Sequence, residues 1–298
     1  MNDYTNAIEI SNLTKKFDGF TLNNLNMSVP KGSIMGFIGQ NGSGKTTTIK
    51  LLLNILHRNS GNIKIFGMDN TLNEKEIKEK ISVVFDELPF HDELNPSQIN
   101  TILRNIYKEW NSETYKSYLD RFSLPQKKKL GKFSKGMKMK LQIATALSHN
   151  AKLLIMDEAT TGLDPVVRSE ILDIFLEFLQ EEDHTIFMSS HITSDLEKIA
   201  DSITFIDKGE LLISGYKDEI LENHGVIRCS KNDYKNIDIE DIVSVRTNEF
   251  NIDVMVKDKT LCRKKYSGLI MDNTTLEEIM LFYIKNKKRS FKNERINI

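Results

Sequence analysis

The sequence predicts an α/β fold: a parallel sheet with helices on both faces, an antiparallel β layer ahead of it, a helical segment within it and a small α+β region after it. Three observations carry that expectation. Residues 39 to 46 read Gly39-Gln40-Asn41-Gly42-Ser43-Gly44-Lys45-Thr46, a complete G-x-x-x-x-G-K-[ST] phosphate loop. Short apolar runs alternate with stretches of helical periodicity, the pattern of strands crossing over through helices. About 110 residues beyond the loop, Leu153-Leu154-Ile155-Met156 ends in the paired acids Asp157-Glu158.

In chain order, Ile8 to Ile10 and Leu22 to Val29 alternate in period two between the turn signals Asp18-Gly19 and Pro30-Lys31-Gly32, which predicts the antiparallel layer. Ser33 to Ile38 is a short apolar run suited to a buried strand. The loop glycines then let successive N–H groups turn inward around phosphate oxygens. From Lys45 to Leu56, Ile49, Leu52, Leu53 and Leu56 recur at helical spacing, so a helix N-terminus faces the phosphates. Lys45 supplies charge to the β and γ phosphates and the Thr46 hydroxyl can ligate Mg²⁺. The expected nucleotide contacts run from Gly39 through Gln40, Asn41, Gly42, Ser43, Gly44, Lys45 and Thr46 to Thr47.

Gly61 to Gly67 reads as a strand, residues 74 to 80 as a charged helical cover, and Ile81 to Phe85 as a β-branched strand ending at Asp86. From Pro96 to about His149 the texture is helical: Ile99, Ile102, Leu103, Ile106 and Trp110 share one spacing, and Tyr115, Leu119 and Phe122 another. Strands return at Leu153 to Met156 and Thr185 to Met188, with helices expected from Pro165 to Glu182 and near Ser194 to Ala200. Ile203 to Ile213 reads as a hairpin turning at Lys208-Gly209. Asn223-His224-Gly225 is the expected boundary between a nucleotide-binding domain (1–222, helical part about 88–150) and an accessory domain (223–298). The latter shows three short strands, one amphipathic helix from Thr275 to about Lys285 and a basic end from Lys285 to Arg295.

Bulk properties limit the function classes. A formal net charge of −1 argues against broad nucleic-acid binding. Cys229 and Cys262 are too few for a disulfide framework and read as buried, reduced thiols. No stretch approaches 18 consecutive apolar residues, and Met1 to Thr5 lacks a basic region followed by an apolar one. A cytoplasmic chain is expected, with any membrane spans supplied by other subunits.

Asp157, at a strand end on the carboxyl edge, can hold the Mg²⁺ shell, and Glu158 can polarise water toward the γ phosphate. Phe133-Ser134-Lys135-Gly136-Met137, 20 residues before Asp157 when counted from Met137, resembles the signature motif of ATP-binding cassette (ABC) ATPases. Ala159 to Pro165, containing Asp164, is similar to their D-loop, and Ser189-Ser190-His191 to their switch histidine. The resemblance covers roughly residues 8 to 222, and two changes in the signature, Lys135 for the first of two glycines and Met137 for Gln, resemble a bacterial export-type subgroup that includes bacitracin-resistance ATPases.

That resemblance implies ATP and Mg²⁺ as cofactors and a head-to-tail homodimer or heterodimer with a related ATPase, peripheral on the inner face of the membrane against integral permease subunits. Each ATP would lie between one phosphate loop and the other subunit's Ser134 and Gly136, with His191 stabilising charge on the γ phosphate. Phe17 fits the aromatic that stacks on adenine, with Phe20 the competitor. Asp86 stands where the family usually has Gln; its carboxylate can still reach Mg²⁺ or the lytic water. Leu88, Pro89 and Phe90, exposed at a loop, would receive a short helix of the membrane subunit. A soluble ATPase acting on ribosomes or DNA is the competing class, but one phosphate loop and the absence of heptads before the signature speak against it. No Asn-Lys-x-Asp motif indicates guanine.

Overall fold

The computed structural model describes residues 4 to 288, so the start of the chain and most of its basic end lie outside the described residues. β1 (Asn6–Phe17) and β2 (Phe20–Pro30) form a hairpin, followed by β3 (Ile34–Ile38), α1 (Lys45–Leu52), β4 (Ser60–Ile65), β5 (Met68–Asp69), α2 (Glu74–Lys80) and β6 (Ile81–Val84). A helical segment holds α3 (Pro96–Arg104), α4 (Ser112–Arg121) and α5 (Lys135–Ala146). The chain returns to the sheet through β7 (Leu153–Asp157), α6 (Pro165–Phe178), β8 (Thr185–Ser190), α7 (Thr193–Ile199), β9 (Ser202–Asp207), β10 (Glu210–Tyr216) and α8 (Lys217–Asn223). Last come β11 (Gly225–Cys229), α9 (Lys231–Tyr234), β12 (Ile242–Thr247), β13 (Ile252–Val256), α10 (Lys259–Lys265), β14 (Ile270–Asp272) and α11 (Leu276–Lys288).

Three sheets result. β2-β1-β4-β5 is antiparallel, β10-β9-β3-β8-β7-β6 is parallel apart from its edge strand β10, and β12-β13-β11-β14 is antiparallel. The central sheet is apolar on both faces because helices or the first sheet cover each. Alternation sorts its side chains: Met35, Phe37, Leu153, Ile155 and Phe187 pack under the antiparallel layer. Ile34, Ile38, Leu154, Met156, Ile186 and Met188 face the helices instead. This sandwich places the carboxyl ends of β3, β7 and β8 side by side, since β8 pairs in parallel with both of the others.

Local chemistry starts the helices where the sequence signals them. Asn95 and Gln98 make a reciprocal capping box ahead of Pro96, and Asn111 caps α4. Where helices end sooner than periodicity predicts, the cause is visible. α1 stops at Leu52 rather than Leu56 because Asn54 turns left-handed (φ 55) and the N–H groups of Ile55 and Leu56 both fold back to the Lys50 carbonyl. α6 stops at Phe178 rather than Glu182; the His184 ring N–H binds the Phe178 carbonyl at 2.8 Å, which a continuing helix would have used. α3 ends at Arg104, so Ile106 and Trp110 lie beyond it, and the Trp110 indole donates to Asn100 Oδ1 at 2.7 Å.

Beyond Asn223 the structure holds more helix than the single amphipathic one expected. α10 escapes a periodicity reading because only Cys262 of its seven residues is buried; its start is set by Asp258, whose carboxylate caps Leu261 N at 2.8 Å. Both cysteines are free and buried, and burial pushes each thiol up to about 11. The C-terminal helix rejoins the main body: Glu197 on α7 accepts a hydrogen bond from Leu276 N at 2.7 Å. Among the described residues, no helix is long and apolar enough to cross a membrane.

One buried group ties the helical segment to the sheet and gives it a pH dependence. His149 stacks on Tyr107 at 4.1 Å, and its Nε2 lies 2.7 Å from Ser82 Oγ. The Ser82 hydroxyl donates to the Ala146 carbonyl, so Nε2 carries the hydrogen that faces Ser82 Oγ, and burial keeps the ring neutral. Burial lowers its pKa from 6.5 to about 4. A depressed histidine contributes full stability above 6.5 and loses it as pH falls toward 4, because the unfolded chain binds the proton first. The loss is on the order of 3 kcal/mol from a shift of 6.5 to about 4, and His224, lowered by its own burial, adds in the same sense. Urea unfolding across pH 7.5 to 4 should show a clearly shallower decline for His149→Gln than for the wild-type chain.

Candidate functional site

The phosphate loop leaves the end of β3 and enters α1 with no space to spare. A Cβ on Gly39 would sit 2.4 Å from Ser43 Oγ and 2.5 Å from the Ile206 carbonyl, so only glycine fits. Gly44 adopts φ 116, which aims the first N–H groups of α1 into the loop. Inside, Ser43 Oγ is buried with no hydrogen-bond partner among the described residues. Lys45 is buried too, at 5% exposure. Its ammonium is held by the Gly39 carbonyl at 2.7 Å, the Gln40 carbonyl at 3.2 Å and Glu158 Oε1 at 3.0 Å. A cradle of inward donors, an unpartnered hydroxyl and a buried cation fit a polyphosphate.

The ends of β7 and β8 meet this loop. Glu158 has φ 57, unusual for a side chain of its size, and Thr161 Oγ1 donates to its Oε2 at 2.8 Å. His191 Nδ1 lies 2.5 Å from the same oxygen and, facing a carboxylate, is the donor. Burial alone would raise the Glu158 carboxyl, but the Lys45 charge and the Thr161 hydroxyl hold it below the usual carboxylate range. Asp157 Oδ1 accepts from Ser189 Oγ at 2.7 Å, leaving its other oxygen free of that bond. Among the described residues, no three His, Cys, Asp or Glu side chains cluster to hold a metal.

The remaining predicted residues lie apart from this network. Ser134 caps α5, its Oγ accepting from Met137 N at 3.2 Å, and Gly136 follows in the first turn. Asp164 caps α6 through Val166 N and Val167 N at 3.1 and 3.0 Å. Asp86 is half exposed and pairs with Lys135 of the signature at 2.9 Å. Phe17 is exposed with Phe20 beside it at 6.3 Å, while the Phe20 ring packs toward Gly44 and the core. Leu88 and Phe90 are partly buried against the core, so of that trio only Pro89 is fully exposed.

Three contributors carry little sequence signal. Thr161 and Ser189 read as motif filler, yet their hydroxyls orient Glu158 and Asp157. Gly209 reads only as a hairpin turn, yet its N–H donates to the Ser43 carbonyl at 2.8 Å and its carbonyl accepts from Asn23 N at 2.8 Å. It thus braces the phosphate loop against the antiparallel layer.

Comparison with known proteins shows the family of the chain. The ABC transporter family model matches residues 22–161. The chain is 39% identical over 211 residues to the bacitracin transport ATP-binding protein of Bacillus licheniformis, covering 69% of this chain and 68% of that one. It is 35% identical over 209 residues to a lantibiotic transport ATP-binding protein of Streptococcus pyogenes, covering 69% and 89%. Among solved structures, an ATP-binding subunit of an ABC transporter superposes with a TM-score of 0.65 at 24% identity, over 72% of this chain and 91% of that one. A Clostridium perfringens subunit that is part of an ABC transporter complex does so at 0.63 and 23%, over 73% and 91%. At such identities these two speak for the fold.

Gly209→Ala should damage the loop it braces. Its φ is 79 and a Cβ would lie 2.0 Å from the Thr21 carbonyl. Gly19, at φ 77 with nothing within 4 Å, is the matched control for backbone strain alone. Gly209→Ala is expected to cost about 1–3 kcal/mol more than Gly19→Ala in chemical unfolding, and to weaken binding of a fluorescent ATP analogue where Gly19→Ala does not.

Proposed function

Because the chain belongs to the ABC transporter ATP-binding family, we propose that its loop from Gly39 to Thr47, with Asp157, Glu158 and His191, is one half of a composite ATP-hydrolysing site that powers export through separate membrane subunits. The observation that carries the reading is the single contact network joining Lys45, Glu158 and His191 around an unpartnered, buried Ser43 hydroxyl.

The chemistry follows from what each group must exchange. Lys45 is neutralised by Glu158, so a γ phosphate entering the loop competes for that ammonium and sets the carboxylate free. Glu158, charged near neutral pH, can then accept a hydrogen from water and orient it in line with the phosphate. His191, whose Nδ1 hydrogen holds Glu158 Oε2, would pass that hydrogen bond to the phosphate oxygens once Glu158 is released. The Thr46 hydroxyl and the Asp157 carboxylate would hold a bound Mg²⁺, which would offset the negative charge of the phosphates. Phe17, exposed at the end of β1, is the adenine platform, since Phe20 is occupied in packing.

Closure needs a second subunit, identical or related, whose Ser134 and Gly136 open a helix toward the γ phosphate. The permease would sit in an apolar groove of about 720 Å³ between the sheet and the helical segment, lined by Ile55, Phe85, Pro89, Phe90, Ile106 and Tyr107. That wall of exposed Ile55 and Ile106 suits a short apolar helix. The chain would then work in the cytoplasm, peripheral on the membrane. The bacitracin and lantibiotic relatives make antibiotic peptides the proposed cargo class. A role on ribosomes or DNA has no feature of this site in its favour.

Glu158→Gln keeps shape and reach but removes the charge. It should lower MgATP hydrolysis about 10²–10⁴-fold while binding ATP and accumulating dimer on size exclusion; hydrolysis at the wild-type rate would sink the assignment. Mixing Lys45→Ala chains with Ser134→Arg chains tests the shared site. A heterodimer puts both lesions in one composite site and spares the other, so part of the activity should return.

A further inference from the structure

Two of the positions where this chain departs from its family's pattern, Asp86 and Lys135, are paired with each other. Asp86 and Lys135 pair at 2.9 Å, both about half exposed. Lys135 is also an awkward residue where it stands. It is the first residue of α5, where the helix dipole disfavours a cation. Its ammonium also lies over the D-loop, 3.3 Å from where a Cβ on Gly162 would be. One side chain therefore touches the loop after β6, the signature and the D-loop.

The segment that begins at Asp86 is strapped to the same side of the helical segment by further charge. Lys138 pairs with Asp92 at 3.3 Å and Lys129 with Glu93. At its root, buried Gln142 clamps the Phe85 peptide through both N–H and carbonyl, at 3.1 and 3.0 Å. The clamp fixes the backbone at Phe85, and the run from Asp86 onward is held by exposed charge pairs and by partly buried Leu88 and Phe90. Exposed pairs of this kind contribute little to stability, which makes them easy to exchange for a stronger anion.

We propose that Lys135 is an electrostatic exchange point: free chains hold its ammonium on Asp86, and on dimer closure the terminal phosphate of the ATP bound to the other subunit replaces that carboxylate and releases Asp86. Lys135 is then a specificity residue for the triphosphate, adding one charge beside Ser134 and Gly136. Release of Asp86 reports closure to the run at 87–91, which reaches the apolar groove at Pro89 and Phe90. The mechanism needs only that phosphate outcompete a carboxylate for a surface ammonium, which its greater charge favours. The proposal rests on the shared-site reading above.

The test uses the full chain carrying Glu158→Gln, titrated with MgATP while dimer is followed by light scattering. Asp86→Asn removes the competitor, so the ATP concentration at half-dimerisation should fall about two- to five-fold, the scale of one exposed pair. Lys135→Met should raise it by at least as much, and Asp86→Asn added to Lys135→Met should change nothing further. An equal effect of Asp86→Asn with and without Lys135, or none in either, would overturn the exchange. MgADP binding is measured in parallel. A weakening there with Asp86→Asn would place Asp86 at the metal and overturn it as well. Dimer absent even from the Glu158→Gln parent would instead overturn the shared-site reading, and the exchange with it.

Discussion

A buried ammonium organises this molecule. Lys45 sits at 5% exposure inside a loop of backbone turned toward it, and a charge so placed is costly unless paired. The available partners are two loop carbonyls and Glu158, delivered by the end of β7. The carboxylate is in turn fixed by His191 from the loop after β8 and by Thr161 from the loop after β7. Strand order is what allows this. With β3 next to β8 and β8 next to β7, their carboxyl ends open onto one edge, and residues more than 100 positions apart share one cation.

The same constraint ties the carboxylate to the ammonium. Glu158 on Lys45 is stable only while no stronger anion enters, so the carboxylate that would orient water is held away from that task until phosphate arrives. A similar arrangement recurs at the surface, where Lys135 is matched by Asp86. The two pairs differ in environment and so in weight. The first is buried and braced by a network, the second is exposed and weak. An anion that reaches both would meet a deep site first and a responsive one second.

Packing joins this edge to the rest of the chain. α7 follows His191 directly, and Arg168 of α6 approaches Asp195 within it at 3.8 Å. On its far side Glu197 caps α11, whose Phe282 carries the Arg246 guanidinium at 5.0 Å. The region beyond Asn223 is thereby joined to the helix that follows the histidine.

Much of the site was legible in the sequence because its chemistry is local. The phosphate loop needs glycine where a side chain would collide, lysine where charge is required and a helix immediately after, and all of this lies within a dozen residues. The apolar runs that became the central strands were legible for the same reason. Helix ends at Leu52 and Phe178 were not, because Asn54 and His184 act through backbone geometry and a side-chain bond that periodicity does not register. Only the tertiary structure could show that Gly209 braces Ser43, that Lys135 faces Asp86 and that Glu158 rests on Lys45. Each of these joins segments separated by 49 to about 170 residues, and which charge meets which is decided by strand order and loop placement rather than by the residues alone.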